Sequence, residues 1–199
     1  MVEKSNVKIL LNQVANEALV RSYEPDRLIL ATGSSARKLN VLGNERLTDC
    51  LEAIDKQVET KGQIVIIGGG SIGCELALEY AQAGNQVTIV EMGKELALNG
   101  NMLYRTALHQ HIKKESHITV YLKSQLREIS EDRVYLQTPD GETVLAYDQV
   151  VNAAGRIPNK AAAFSLYGIT PDTCMVGDCE RVGALVDAIN LAYFIGHTC

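Results

Sequence analysis

Residues 63–91, QIVIIGGGSIGCELALEYAQAGNQVTIVE, predict a strand, a glycine-rich turn, a helix and a second strand. The apolar run 64–67 is typical of a parallel strand that is buried on both faces. The next six residues fit the pattern G-x-G-x-x-G, and the chain then favours a helix as far as Ala83. A second apolar run, 87–90, ends at Glu91. This order is that of a βαβ unit, in which a helix joins two neighbouring parallel strands.

Each part of the glycine turn, residues 68–73, has a mechanical role in binding a dinucleotide. Gly68 permits the tight turn, Gly70 lets the backbone approach a pyrophosphate, and Gly73 lets the helix pack on the strand. The free amide groups and the partial positive charge of the helix N-terminus favour phosphate. The predicted phosphate-binding residues are Gly68, Gly69, Gly70, Ser71, Ile72 and Gly73. The alternative is a glycine-rich turn that binds nothing.

Glu91 lies 21 residues after Gly70, near the spacing at which an acid accepts hydrogen bonds from the adenosine ribose hydroxyls. A carboxylate there would repel a 2′-phosphate, and no arginine follows it in residues 92–94. We therefore predict that NAD(H) is preferred to NADP(H), although Lys94 is a basic residue that could reach a phosphate. Met92, the next residue, is included in the predicted cofactor site.

Composition favours a globular protein with no nucleic-acid surface. The chain has 199 residues, of which 46% are hydrophobic and 22% charged, and its net charge is −5 with no basic block. No apolar run approaches the length of a membrane span, and the N-terminus lacks the layout of a signal peptide. We therefore expect a cytoplasmic protein that contacts neither nucleic acid nor membrane.

The cysteines and histidines do not form a recognisable reactive site. None of the five cysteines lies in a C-x-x-C pair, so the sequence indicates neither a dithiol centre nor a zinc knuckle. Cys74 lies on the first turn of the predicted helix, where the helix dipole could lower its pKa. We expect it instead to pack the helix against the sheet. The histidines are scattered, and we predict no metal site and no catalytic residue in this chain.

The rest of the pattern predicts an α/β fold, a parallel sheet with an appended antiparallel β-meander. Short segments of mixed polarity, at 126–129, 134–137 and 144–147, indicate the half-buried strands of the meander. The other predicted strands are 7–11, 27–31, 118–122, 148–153 and 174–176. The other predicted helices are 50–58, 101–114 and 182–195. We expect 37–43 to be a loop and 160–172 to be irregular.

Four segments, in this order, resemble the FAD- and NAD(P)-dependent pyridine-nucleotide oxidoreductases. They are LILATGS (28–34), IVIIGGGSIGCELA with VTIVE (64–77 and 87–91), DQVVNAAGRIPN (148–159) and CMVGDC (174–179). The resemblance covers nearly the whole chain and is greatest to the C-terminal reductase half of 2-enoate reductase and 2,4-dienoyl-CoA reductase flavoenzymes. It implies a Rossmann-like three-layer FAD/NAD(P)-binding fold. An NAD-binding domain at 59–154 would interrupt a partial FAD-binding domain at 1–58 and 155–199.

The resemblance also implies an FAD site outside the glycine turn. Thr32 and Gly33 match the A-T-G segment that lies near FAD in this family. Gly177 and Asp178 match its G-D motif, in which the aspartate hydrogen-bonds the ribityl chain of FAD. These four residues are therefore predicted to contact FAD.

Three further residues are implied to lie near the nicotinamide dinucleotide. Gly155 and Arg156 match the G-R-x-P-N segment, which crosses near the dinucleotide. Glu75 matches an acid of the nucleotide-binding helix that lies near the nicotinamide. The alternative for Glu75 is a first-turn acid that the helix dipole favours.

The chain departs from the family in having no FAD fingerprint upstream of Gly68, no flavin-carrying barrel and no cysteine cluster for an iron–sulfur centre. We interpret it as a fragment, an NAD(H)-binding module that passes hydride from NADH to FAD within a larger flavin-dependent oxidoreductase. Its partners would be the missing FAD-domain segment and a flavin-barrel domain or subunit. The isolated chain should be inactive, and exposed apolar surface would favour a homo-oligomer.

Three other functions stay open from the sequence. The first is a complete NADH oxidase or disulfide-reductase-type flavoprotein, which the missing redox cysteine motif disfavours. The second is a nucleotide-binding interaction domain without chemistry. The third is a stand-alone dehydrogenase, for which we find no suitably spaced catalytic histidine or Tyr–Lys pair.

Overall fold

The computed structural model of the protein describes residues 5–55, 62–98 and 101–198. The chain divides into two compact units, each of which is described separately. Unit 1 comprises Met1–Ser35 and Pro158–Cys199, and unit 2 comprises Ala36–Ile157. The assignment of NAD to 59–154 and of FAD to the flanking residues stays a prediction, because it concerns what each part binds.

Unit 2 is built on a five-stranded parallel sheet. Its strands are β3 (Leu47–Asp49), β4 (Gln63–Ile67), β5 (Gln86–Val90), β6 (Ile118–Tyr121) and β10 (Gln149–Asn152), in the order β3-β10-β4-β5-β6. The central strand, β4, buries every residue from Ile64 to Ile67, as expected of a parallel strand covered on both faces. The predicted parallel sheet is confirmed.

Helices cover one face of this sheet. They are α2 (Cys50–Asp55), α3 (Ser71–Gln82) and α4 (Met102–Lys114). α3 contacts both of the others, and its buried side packs with Ile64 and Ile66 of β4 in one hydrophobic cluster. The predicted helix at 50–58 is found at its first six residues, and 56–58 lie outside the described residues.

An antiparallel sheet covers the other face. Its strands are β7 (Gln125–Ile129), β8 (Arg133–Thr138) and β9 (Gly141–Ala146). Leu126 and Val134 of this meander pack with Val65 and Ile67 of β4. Because alternate residues of a strand point to opposite faces, β4 contributes to both clusters. Unit 2 therefore has three layers, which are helices, parallel sheet and meander, as predicted.

Unit 1 contains a smaller parallel sheet of two strands, β1 (Arg27–Leu30) and β12 (Asp172–Met175). Its helices are α1 (Glu17–Ser22), α5 (Lys160–Phe164) and α6 (Leu185–His197). Its described hydrophobic cluster has three buried members, Leu30, Ala163 and Leu166. Two further short strands, β2 (Ser34–Ala36) and β11 (Arg156–Pro158), pair with each other.

Two local predictions were wrong, both in unit 1. Residues 7–11 were predicted as a strand but form no regular element, and their apolar side chains, such as Leu11, are exposed. β-Propensity does not suffice there because a strand needs a partner to bond. Residues 160–172 were predicted to be irregular, whereas 160–164 form α5, which places Ala163 in the small core.

Candidate functional site

The glycine turn joins β4 to α3 in a conformation that excludes larger residues at two positions. Gly68 has φ +109°, and a Cβ there would lie 2.3 Å from the carbonyl oxygen of Ala153, the residue that follows β10. A Cβ at Gly73 would lie 2.0 Å from the carbonyl oxygen of Gly68. These two glycines let the turn and the start of the helix lie close to the neighbouring backbone.

Gly70 is different because a Cβ there would meet no atom of the described residues within 4 Å. Its backbone is extended, at φ −67° and ψ −179°, so no strain requires a glycine. The amide of Cys74 donates to the carbonyl oxygen of Gly70 as the first hydrogen bond of α3. The amides of the first turn therefore have no partner within the helix. Ser71 and Ile72 belong to that turn, and both side chains are partly exposed.

A cavity of about 520 Å³ opens beside this turn, at the carboxyl ends of β4, β5 and β10. Ligands of open parallel sheets bind at this edge. Gly68, Gly70, Glu91, Met92 and Gly155 all line it, so the fold brings these predicted residues together. The segment Leu39, Asn40 and Val41 also lines the cavity. The sequence analysis did not assign these residues to the site.

Glu91, at the end of β5, holds two backbone amides. Its Oε2 accepts from the amide of Gly69 at 2.7 Å, and its Oε1 accepts from the amide of Gly93 at 2.6 Å. A carboxylate oxygen has two lone pairs, so both oxygens can still accept from a ribose hydroxyl. Met92 is largely exposed beside it.

Gly155 and Arg156 follow β10, and each has a contact within unit 2. Gly155 has φ +101°, and its carbonyl oxygen accepts from the amide of Arg37 at 2.9 Å. Arg156 Nη1 lies 3.1 Å from Asp49 Oδ1 in an ion pair whose side chains are only 11% and 30% exposed. Burial raises the pKa of Asp49, but the amide of Leu51 and the charge of Arg156 outweigh it, and the pKa is lowered.

Glu75 lies on α3, where it accepts a hydrogen bond from the phenol of Tyr104 on α4 at 2.5 Å. This bond raises the pKa of Tyr104 to about 12, with burial and the charge of Glu75 adding to the effect. Sequence reasoning gave no signal for Tyr104, because it lies 29 residues further along the chain. The role of Glu75 near a nicotinamide stays a prediction.

Cys74 packs between α3 and the sheet, which confirms the structural role predicted for it. The side chain is fully buried, and its Sγ donates to the carbonyl oxygen of Gly69 at 3.4 Å. Burial, with the nearby charges of Glu91 and Glu75, raises the pKa of this thiol to about 12. The helix dipole therefore does not make Cys74 a thiolate at neutral pH.

The predicted FAD residues lie close together in unit 1. They follow β1 and β12, which are parallel neighbours, so the carboxyl ends of both strands lie side by side. Val176 donates its amide to the carbonyl oxygen of Leu30 at 2.9 Å. This contact places Thr32 and Gly33, which follow β1, near Gly177 and Asp178, which follow β12.

Two residues that were not predicted as site residues form hydrogen bonds with the predicted FAD residues. Ser34 Oγ donates to Asp178 Oδ2 at 2.7 Å. Asn159 donates its side-chain amide to the carbonyl oxygen of Thr32 at 3.0 Å and its backbone amide to that of Gly33 at 3.0 Å. A cavity of about 490 Å³ within unit 1 is lined by Gly177, Asp178 and the first half of α6.

Within 5–55, 62–98 and 101–198, no three histidine, cysteine or acidic side chains are grouped so that they could hold a metal ion. Over the same described ranges, no helix combines the length and the apolar character that crossing a membrane requires. The four described cysteines, Cys50, Cys74, Cys174 and Cys179, are all free thiols.

Residues 2–173 match the family described as pyridine nucleotide-disulphide oxidoreductase. The chain belongs to this family. It is 30% identical, over 94% of its own length, to cinnamate reductase of Clostridium sporogenes, of which it covers 28%. It is 26% identical, over 96% of its length, to bilirubin reductase of Mediterraneibacter gnavus, of which it covers 30%.

The fold is also similar to that of a solved structure. A complex of 2-naphthoyl-CoA reductase with 2-naphthoyl-CoA superposes with a TM-score of 0.84 and 28% identity, over 94% of this chain and 29% of that one. These findings confirm the predicted family, the Rossmann-like α/β fold and the resemblance to enoate-type reductases. The chain spans less than a third of the length of each of these three proteins.

Proposed function

We propose that this chain is an NAD(H)-binding reductase module, which passes hydride from NADH to FAD within a larger flavin-dependent oxidoreductase of the enoate or dienoyl-CoA reductase kind. One observation carries the proposal. Gly70 leaves open space at the first turn of α3, where the backbone amides have no partner within the helix, at the edge of a cavity of about 520 Å³. Open space, free amides and the positive end of a helix dipole together suit a pyrophosphate.

The residues around the glycine turn also suit the rest of a dinucleotide. The cavity has an apolar wall that includes Val41, Met92 and Leu126, which suits a nucleobase. Glu91 lines the same cavity, and its carboxylate oxygens can accept from ribose hydroxyls. Its negative charge disfavours a 2′-phosphate. These features support NAD(H) over NADP(H) as the nucleotide.

Unit 1 offers residues that suit part of an FAD molecule. The carboxylate of Asp178, which lines the cavity of about 490 Å³, can accept hydrogen bonds from a polyol chain. The backbone of Thr32 and Gly33, which follow the neighbouring strand, offers further polar groups. When bound, the nicotinamide and the flavin themselves supply the hydride transfer. The part of this chain is to bind and orient, and we assign no general acid or base within it.

The same proposal assigns residues 59–154 to NAD(H), the flanking segments to FAD, and Gly155, Arg156 and Glu75 to the side of the dinucleotide site. Its partners would be a further FAD-domain segment and a flavin-barrel domain or subunit. The small share of each relative that this chain covers supports that assembly. With FAD and NADH added, the isolated chain should reduce a dye acceptor slowly or not at all.

Substitution of Gly70 tests the nucleotide site without disturbing the fold. Gly70→Ala adds a methyl group to open space in ordinary backbone, so the protein should fold while NADH affinity falls by about tenfold or more, since tenfold corresponds to about 1.4 kcal/mol. The matched control is Gly196→Ala, where a Cβ would also meet no described atom within 4 Å. NADH and NADPH binding would be measured by calorimetry. Unchanged NADH affinity in Gly70→Ala would contradict the proposal.

A further inference from the structure

The carboxylate of Glu91 is engaged with the backbone of its own fold. Its two oxygens accept from the amides of Gly69, in the glycine turn, and Gly93, two residues further along the chain. The main chain of Glu91 is also held, because its amide donates to Tyr121 and its carbonyl oxygen accepts from Ser124. A side chain held at both oxygens and at its backbone has little freedom to turn.

The segment that starts at this acid, residues 91–97, encloses Gly69 from both sides. The amide of Gly69 donates to Glu91 at 2.7 Å, and its carbonyl oxygen accepts from the amide of Ala97 at 2.7 Å. A Cβ at Gly69 would lie 2.4 Å from Cδ2 of Leu96. A larger residue at Gly69 would therefore displace the side chain of Leu96, whereas Gly70, next to it, faces open space.

The 91–97 segment is itself anchored to the rest of unit 2. Leu96 and Ala97 are buried in the core, and the carbonyl oxygen of Leu96 is hydrogen-bonded to Nε2 of His109 on α4 at 2.8 Å. The carbonyl oxygen of Gly93 accepts from the amide of Lys123 at 2.9 Å. Glu91 thus joins a well-anchored segment to the turn that carries the phosphate site.

We propose that Glu91 is a positioning residue, which fixes the glycine turn and the 91–97 segment in their binding geometry before any nucleotide arrives. The consequence for nucleotide choice rests on the proposed function. The carboxylate is fixed, so it cannot turn away from a 2′-phosphate. Its removal also releases Gly69 and Gly93, so losing the negative charge should not convert the site to NADPH.

Two substitutions separate charge from hydrogen bonding. Glu91→Gln keeps the length of the side chain but removes the charge and leaves only one acceptor oxygen. The NH2 group of the glutamine would then face one of the two backbone N–H donors and could not accept from it. Glu91→Asp keeps the charge but is one methylene shorter, so it cannot reach both amides. Glu79→Gln makes the same charge change at an exposed position on α3 and is the matched control.

The first measurement is hydrogen exchange of the Gly69 and Gly93 amides by NMR, without nucleotide. A hydrogen bond to a charged group contributes enough that losing it should speed exchange by about tenfold or more, at one or both of these amides, in each Glu91 variant. Glu79→Gln should leave both amides unchanged. The milder Glu91→Asp keeps the test usable if Glu91→Gln folds poorly.

The second measurement is titration of each variant with NADH and with NADPH. We expect both Glu91 variants to lose NADH affinity by about tenfold, and neither variant to bind NADPH more tightly than the unsubstituted protein does. Unchanged exchange at Gly69 and Gly93 would overturn the proposal. So would a Glu91→Gln variant that gains NADPH affinity while it loses NADH affinity, because that result assigns the acid to charge exclusion alone. If the unsubstituted protein bound neither nucleotide while exchange still quickened in the variants, the proposed function would fail and the positioning role would stand.

Discussion

The two units use the same kind of parallel strand pairing but bury it to very different extents. In unit 2, β4 has neighbours on both sides and is covered by helices on one face and by the meander on the other. In unit 1, β1 pairs only with β12 among the described strands, and Ile29 is 45% exposed. Neither α1 nor α6, both fully described, buries a side chain.

The difference shows which part of the molecule is preorganised. Parallel sheets are normally covered on both faces, and a lone strand pair is marginal in water. Unit 2 satisfies this condition from its own residues, and its glycine turn is held from several sides. Unit 1 leaves apolar side chains exposed, such as Val186 and Phe194 of α6, and such surface is typical of a region that another chain covers. This contrast agrees with the proposal that a partner completes the FAD site, whereas unit 2 supplies the NAD(H) site by itself.

The largest expected effect compares one isoleucine in each unit. Ile66→Ala in β4 removes a fully buried side chain, and we expect the free energy of unfolding to fall by about 2–5 kcal/mol. Ile29→Ala in β1, the matched control, removes a half-exposed one and should cost about 1 kcal/mol or less. Urea unfolding followed by circular dichroism measures both. Equal losses would show that β1 is covered as well as β4, and the comparison would then be wrong.

An intermediate effect is expected at the ion pair between Arg156 and Asp49. Arg156→Ala leaves the partly buried carboxylate of Asp49 without its charged partner, and we expect a loss of about 1–3 kcal/mol in the free energy of unfolding. The control is Arg133→Ala, since Arg133 pairs with Asp132 where both are well exposed, and it should cost about 0.5 kcal/mol or less.

The same pair predicts a dependence on pH. The pKa of Asp49 is lower in the folded protein than in the unfolded chain, so its stabilisation is present above the ordinary aspartate value of about 4 and disappears as pH falls through the lowered value. Urea unfolding between neutral and acid pH should therefore show the stability difference between the parent and Arg156→Ala narrowing only below about pH 4. A constant difference across this range would contradict the assignment to Asp49.

The smallest expected effect is at the exposed bond between Tyr104 and Glu75. Tyr104→Phe should cost only about 0.5–1 kcal/mol, because one hydrogen bond at the surface is lost. The raised pKa of Tyr104, about 12, means that this bond persists up to the ordinary tyrosine pKa of about 10 and is lost as pH rises through the raised value. An ultraviolet titration of the phenols should lose one late-titrating component in Tyr104→Phe, beside that of buried Tyr80, whose pKa burial also raises, and should keep it in the control Tyr135→Phe. Retention of that component would contradict the assignment to Tyr104.

The glycine turn and the layers around it were predictable because their signals are local. Apolar runs, a glycine pattern and a turn each act within a few residues, and these favour a βαβ unit and a meander wherever they occur. The strand predicted at 7–11 failed for the opposite reason. Its local preference was correct for a strand, but no strand lies beside it among the described residues.

The sequence by itself determined the family, the parallel sheet with its meander, and the glycine turn between β4 and α3, because the spacing of those residues encodes their local geometry. Only the tertiary structure decided which residues meet across long separations. Asn159 binds Thr32, Ser34 binds Asp178, and Tyr104 binds Glu75, although no pattern in the chain relates them. It also decided that Glu91 holds the glycine turn, since a carboxylate that follows a strand can face solvent, ligand or backbone, and only packing chooses among them.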